Sequence, residues 1–188
     1  MHQADIDIDF GNRDNILEVI KTIPAKLESG RKHNSGVYIQ PIPTDPMSGL
    51  ASIDHKAADN RGYFKLDLLN VKIYDLIESP EQYEELMEAE IPWEKLDNKK
   101  FVKQLLHISD YYDLLQGMKV DSIPRLAMFI AVIRPGKKHL QNKEWKEVAE
   151  TIWDETDKGF IFKKSHSIAY AMLVALHMRI LNLPDKGN

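Results

Sequence analysis

Residues 4–10 read Ala-Asp-Ile-Asp-Ile-Asp-Phe (ADIDIDF), with polar and apolar side chains in strict alternation. That period of two predicts a β-strand rather than a helix. In a strand Asp5, Asp7 and Asp9 share one face, with neighbouring carboxylates about 7 Å apart. Three like charges on one face repel each other and add nothing to packing, so a cation is their natural partner. Hard oxygen donors suit Mg²⁺, which binds through one or two carboxylates together with substrate phosphates. The same alternation also describes a solvated edge strand whose acids guard it against edge-to-edge pairing.

A second acid stands in GYFKLDLLNV, residues 62–71. Asp67 interrupts an otherwise apolar strand, where a carboxylate is costly unless it is paired or metal-bound. Capping of a following helix is the structural alternative, and Leu68-Leu69-Asn70 allows it. One strand with D-x-D and another with a single Asp is what two-metal phosphoryl transfer requires. There the ions, about 3.5–4 Å apart, clamp the attacking and leaving oxygens.

Around these two segments the pattern predicts an α+β chain. A helix is expected from Asn12 or Asp14 to about Ser29, with Ile16, Leu17, Ile20, Ile23 and Leu27 as its apolar face and Gly30 as its stop. SGVYIQPI (35–42) and LASID (50–54) read as strands separated by the turn-rich PIPTDPMSG. GYFKLDLLNV is the fourth strand, followed by a short helix through Tyr74 and Ile77. After Ser79-Pro80 the character turns helical, with segments over 98–117, 122–133, 143–153 and 165–183 and a short strand at GFIFKK (159–164). The expected layout is a small mixed sheet with helices in 1–78 and a helical region in 79–188.

Composition sets the outer bounds. Hydrophobic residues at 43% and charged residues at 29% of 188 residues are enough for a packed core. No apolar run approaches 18 residues, so no membrane span is expected. MHQADIDIDF has neither a basic nor an apolar leader region, so no secretory signal is expected. The absence of cysteine excludes disulfides, thiolate catalysis and zinc ribbons, and fits a cytoplasmic setting. A net charge of −4 argues mildly against a free DNA-binding protein, because phosphate contacts rely on Lys and Arg. Acids gather in 81–96 and 144–157, whereas bases gather in 134–143 and at Lys163 and Lys164.

Five segments, in order, resemble elements of the bacterial family C DNA polymerases, the alpha subunit of DNA polymerase III. ADIDIDF with NRDNILEVI is similar to the family's P-D-x-D-x-D-F strand and the R-D helix after it. RKHNSGVYI resembles its K-H-x-x-G-V-x-I element, and RGYFKLDLLNVKIYDLI its G-x-x-K-x-D-x-L strand and helix. SIPRLAMFIAVIRPG looks like the helix ending in R-P-G. FKKSHSIAYAMLVALHMRIL looks like the N-K-S-H-S-x-A-Y-A helix. The resemblance spans nearly the whole chain, and five elements in the same order are far more specific than any one alone.

The resemblance implies a nucleotidyltransferase-like palm in 1–78 and a fingers-like region in 79–188. It implies that Asp5, Asp7 and Asp67 are the catalytic carboxylates holding two Mg²⁺ (Mn²⁺ as substitute), with Asp9 and His33 in support. Arg134, Lys137, Lys164, Ser165 and His166 would lie near the incoming nucleotide or the template backbone. The implied reaction is attack of a primer 3′-hydroxyl on the α-phosphate of a deoxynucleoside triphosphate, with pyrophosphate leaving. Several of these residues also have structural readings: Arg134 as a helix C-terminal charge, Ser165 as an N-cap, and His177 as a helix-surface residue.

The chain departs from the family pattern in places. Ala4 stands for the usual Pro, the interval between the acidic strands is short, and the fingers are trimmed between RPG and KSHS. The family's G-R-G-S loop, whose backbone N–H groups cradle the triphosphate, lies upstream of the acidic strand. A separate polypeptide is expected to supply it. Neither a phosphoesterase domain nor a clamp-binding tail, helix-hairpin-helix or OB module is read in the chain. These departures suit one half of a split polymerase, a shortened phage-type relative, or a palm that has given up catalysis. Two further readings use other features. His33, Asp54 and His55 with the acids could form a metal-dependent phosphodiesterase, although neighbours on a strand point to opposite faces. Trp93, Trp145 and Trp153, flanked by acids, could form a docking surface of an interaction protein.

Overall fold

A computed structural model describes residues 6–155 and 163–184. The fold is α+β, and internal contacts divide the chain into two compact units, Met1–Glu78 and Ser79–Asn188. The first unit carries a four-stranded mixed sheet: β1 (Ile6–Phe10), β2 (Ile23–Lys26), β3 (Lys32–Tyr38) and β4 (Leu66–Asn70), in spatial order β1-β4-β3-β2. β1 runs parallel to β4, and the other two pairs are antiparallel. Helices α1 (Arg13–Val19) and α2 (His55–Asn60) accompany the sheet.

The long helix expected from Asn12 to Ser29 is corrected. Asn12 does cap α1, accepting from the Asp14 N–H at 3.0 Å, but the helix ends at Val19 and Ile20 is already extended. Pro24 lacks the N–H a helix needs and disfavours helical backbone at Ile23. Ile23–Lys26 pairs instead with β3, Ile23 opposite Tyr38. Gly30 (φ +82°) serves the β2–β3 turn, its N–H donating to the Leu27 carbonyl, rather than stopping a helix. LASID forms no ladder strand: Ala51 and Asp54 make only isolated bridges, to Thr44 and Lys26. Asp54 then caps α2, a helix the apolar pattern did not announce. The small core of this unit gathers Ala25, Tyr38, Ile42, Ala51 and Ala58, with the Tyr63 ring meeting Tyr38 edge-on at 6.4 Å.

The second unit holds α3 (Pro80–Glu88), α4 (Lys99–Val102), α5 (Tyr112–Met118), α6 (Ile123–Val132), α7 (Trp145–Thr151) and α8 (Lys164–Leu181). α3 starts as its sequence announces: Pro80 occupies the first turn and the Ser79 hydroxyl accepts from the Gln82 N–H at 3.2 Å. The core is built on α6 against α8, with Phe129, Ile130, Val174 and Met178 fully buried. Ala127, Ala131 and Ala171 line the same core, and the buried Ser167 hydroxyl donates to the Ala127 carbonyl at 2.5 Å. Trp93, Trp145 and Trp153 are half-buried against this core rather than displayed together as a surface. Among the described residues no helix is long and apolar enough to cross a membrane. The predicted strand at GFIFKK falls mostly outside the described residues.

The single helix expected over 98–117 is broken into α4 and α5. Between them His107 takes a left-handed backbone (φ 61°), which a continuous helix cannot contain. Leu105 and Ile108 still reach the core, so the apolar spacing is met by turns. The break frees the Leu106 N–H, and the buried His177 accepts it through Nδ1 at 3.3 Å. His177 is therefore an interior cap and not the helix-surface residue expected.

Burial pushes the His177 imidazole below its ordinary pKa, and a charged ring could not accept that N–H. Burial also lowers His33, and burial with Arg134 alongside lowers His107. Below the ordinary histidine value near 6.5 the unfolded chain thus binds more protons than the folded one, so stability must fall with pH. The thermal midpoint is expected to be flat above about pH 7 and to decline from about 6.5 downward. A His177→Gln variant should show a shallower decline in the same titration.

Candidate functional site

Parallel pairing of β1 with β4 sets Asp7 directly beside Asp67, flanked by the pairs Ile6–Leu66 and Ile8–Leu68. Paired residues of adjacent strands share a face and lie about 4.8 Å apart. Asp9, two residues along β1, falls on the same face. Its carboxyl is pushed up, first by burial and then by the Asp7 charge. Asp7 itself is exposed, whereas Asp67 is buried in the middle of the sheet. Asp5 lies outside the described residues.

Asp67 is paired on both oxygens. The Ser35 hydroxyl donates to Oδ1 at 2.7 Å, and the Lys65 ammonium donates to Oδ2. Lys65 precedes Asp67 by two residues and so projects to the same face. Its stem runs over Gly36, where a Cβ would come within 2.8 Å of Lys65 Cδ and 3.0 Å of His33 Nδ1. Gly36 is opposite Asp67 in the β3–β4 pairing, so the glycine keeps open the channel through which Lys65 reaches the acid. Arg13 ties the strand ends from α1: its guanidinium donates to the Asn34 carbonyl and, at 3.2 Å, to that of Leu68.

His33 Nδ1 stands 3.7 Å from Asp67 Oδ1, but this is no ion pair. The same nitrogen accepts the N–H groups of Ser35 at 3.3 Å and Gly36 at 2.9 Å, so it carries no proton to offer. Burial, with Lys65 and His55 nearby, keeps the ring neutral by lowering its pKa. His33 thus shapes the β3 turn that presents Ser35. The His55 ring meets His33 edge-on at 5.4 Å, with Nδ1 3.3 Å from the Lys26 carbonyl. Asp54 accepts from the N–H groups of Lys56 and Ala57, at 3.0 and 2.9 Å, and the Ala57 bond leads in holding its carboxyl below the usual range. Its role is the α2 cap, which gives the phosphodiesterase reading no Asp54–His55 couple.

No family model, curated protein or solved structure matches the chain.

The residues expected near a nucleotide all lie in the helical unit. Lys137 is buried and its ammonium donates to the Thr151 carbonyl at 2.8 Å, closing the C-terminal end of α7. That bond and its burial give Lys137 a structural role of its own. Lys164 lies 5.9 Å over the Trp153 ring, so both lysines converge on the end of α7. Arg134 directly follows the C-terminal end of α6, its N–H donating to the Ala131 carbonyl at 3.1 Å, and precedes a 3-10 turn, Pro135–Leu140. Ser165 is exposed inside the first turn of α8; the cap position falls on Lys163, so the N-cap reading of Ser165 is corrected. His166 is half-exposed on the same turn.

The sheet face carries hard oxygen donors of the type a divalent cation takes, with both oxygens of Asp67 engaged by Ser35 and Lys65. Asp7 and Asp67 stand side by side in the register, and the positive partner that the burial of Asp67 calls for is the Lys65 ammonium. Among the described residues no three His, Cys, Asp or Glu side chains gather as a metal-binding group. Sequence reasoning gave Lys65 and Ser35 no role. The signal for Lys65 was present in the K-x-D spacing, which places ammonium and carboxylate on one strand face.

Gly36→Ala checks the channel. Gly36 is outside the left-handed region, so the effect is steric. The new methyl must displace the Lys65 stem or the His33 ring, with a cost of about 1–2 kcal/mol. Urea unfolding is expected to register that loss.

Proposed function

We propose that the chain is the acid-bearing component of a template-directed DNA polymerase of the family C type, acting with primer–template DNA and deoxynucleoside triphosphates. The observation that supports it most is the register that sets Asp7 beside Asp67 on parallel strands. The five resembling segments add the family. On this reading Asp5, Asp7 and Asp67 hold two Mg²⁺, or Mn²⁺ in their place. When bound, the ions supply charge stabilisation at the attacking and leaving oxygens. The chain's own contribution is position. Asp67, oriented by the Ser35 hydroxyl, steers the proton of the primer 3′-hydroxyl. As that proton leaves, the O3′–Pα bond forms and the bond to pyrophosphate breaks.

Arg134, Lys164, Ser165 and His166 contribute polar groups toward triphosphate or template. The setting is a larger replication assembly in the cytoplasm of a bacterial or phage-infected cell. A second reading, a palm-derived interaction protein without catalysis, draws support from Asp67: both its oxygens already have protein partners.

The test is extension of a labelled primer by the purified chain, in Mg²⁺ and then Mn²⁺, with pyrophosphate followed in parallel. Template-dependent extension with stoichiometric pyrophosphate is expected. Shortened primer without pyrophosphate would favour the phosphodiesterase. Neither product, and no Mn²⁺ binding that depends on Asp7, would remove the polymerase reading.

A further inference from the structure

We propose that Lys65 is a built-in counter-ion that holds Asp67 closed, and that a divalent cation binds by taking over the Oδ2 position the ammonium occupies. The inference rests on the reading of Asp67 as a metal ligand and adds to it how that ligand is kept before metal arrives.

Three observations carry it. Both partners are largely withdrawn from water, with side-chain exposures of 19% for Lys65 and 12% for Asp67. A buried carboxylate left without a partner is strongly destabilising, so some cation must be present at all times. Second, the two oxygens are served differently: Ser35 binds Oδ1 through a neutral hydroxyl, and Lys65 binds Oδ2 through a full charge. Only the second position would be contested by a metal. Third, the Lys65 stem packs against the bare Gly36, where a Cβ would come within 2.8 Å of Lys65 Cδ. A lysine suits this task because its ammonium is a single strongly hydrated charge on a flexible stem, which swings to solvent once displaced. An arginine would bind both oxygens and resist displacement.

Asp67 is then neutralised in either state, by an ammonium before metal binding and by the divalent cation after it. Asp7, at the paired position on β1, is the second carboxylate of that sheet face.

The experiment compares the wild-type chain with Lys65→Met and Lys65→Gln by Mn²⁺ titration and by thermal midpoints in chelator and in Mg²⁺. Both variants should melt lower than wild type in chelator. Mg²⁺ should raise their midpoints more than it raises that of the wild type. Mn²⁺ affinity should increase on the order of tenfold, within the usual range for coupling between two bound groups. Unchanged or weaker Mn²⁺ affinity in folded variants, with the wild type still binding, overturns the exchange and leaves the metal site standing. No Mn²⁺ binding by any form, wild type included, removes the metal reading itself.

Should both variants fail to fold in chelator, recovery on adding Mg²⁺ supports the exchange. If they fold in neither condition, the wild-type chain decides. Its Lys65 ε-methylene resonance should move during a Mg²⁺ titration with the same midpoint as the binding curve, and a resonance that stays still while Mg²⁺ binds overturns the proposal.

Discussion

An Asp7→Asn chain is expected to lose template-directed extension by about 10³-fold or more while its thermal midpoint holds or rises slightly. Asparagine keeps the shape and one oxygen of the side chain and removes the charge that a hard cation needs. The stability side follows from the surroundings. Asp7 is exposed, and its charge adds to burial, the larger cause, in pushing the Asp9 carboxyl up. Removing that charge relieves the strand and lowers the Asp9 pKa, while burial still holds it up, a shift that NMR titration can follow.

Asp67→Asn should behave differently in the same two assays. It abolishes extension as well, but it also leaves the Lys65 ammonium largely buried against a neutral amide. A midpoint loss equivalent to about 2–3 kcal/mol is expected, below the full cost for a completely buried pair because Lys65 keeps some access to water. The contrast is the informative result. If Asp7→Asn unfolds the chain instead, the acidic strand is structural and the proposed site is wrong.

The parts of this arrangement differ in how far the sequence discloses them. Alternation in ADIDIDF is a local property, and β1 follows from it directly. That β1 lies parallel to β4, with Asp7 beside Asp67, is non-local. No period within either strand names its partner or its register, and the family resemblance implied only that the two acids share a site. Helix α1 was misjudged because Ile23 and Leu27 continue a helical spacing, while Pro24 removes the donor and the backbone freedom a helix requires. The spacing over 98–117 misled in the same way, since Leu105 and Ile108 reach the core through turns. His177 could not be read as buried because its role is to receive an N–H that becomes free only when that helix breaks at His107. The same holds for Lys137, whose partner is a backbone carbonyl at Thr151 and leaves no mark in the side-chain pattern.

Phe129→Ala is expected to be the most damaging single change to the helical unit, costing about 3–5 kcal/mol. Phe129 is fully buried in the middle of α6, between the equally buried Leu126, Ile130 and Val132. Its loss removes a large apolar surface from the core that α6 shares with α8 and opens a cavity among side chains that cannot collapse fully into it. Against a total stability of about 5–15 kcal/mol for a typical domain, the variant should populate unfolded helical unit at physiological temperature. Val19→Ala is the matching control, because Val19 is 76% exposed on α1 and should change stability by less than about 0.5 kcal/mol.

The two kinds of lost activity are then separable. In Phe129→Ala, extension should track the far-UV helical signal through the melting transition and return on cooling or with stabilising osmolyte. In Asp7→Asn it should be absent at every temperature at which the chain is folded. Extension that survives in Phe129→Ala above its melting transition would show that the helical unit, with Arg134, Lys164, Ser165 and His166, is dispensable for the reaction. That result would confine the chemistry to the sheet and its paired acids.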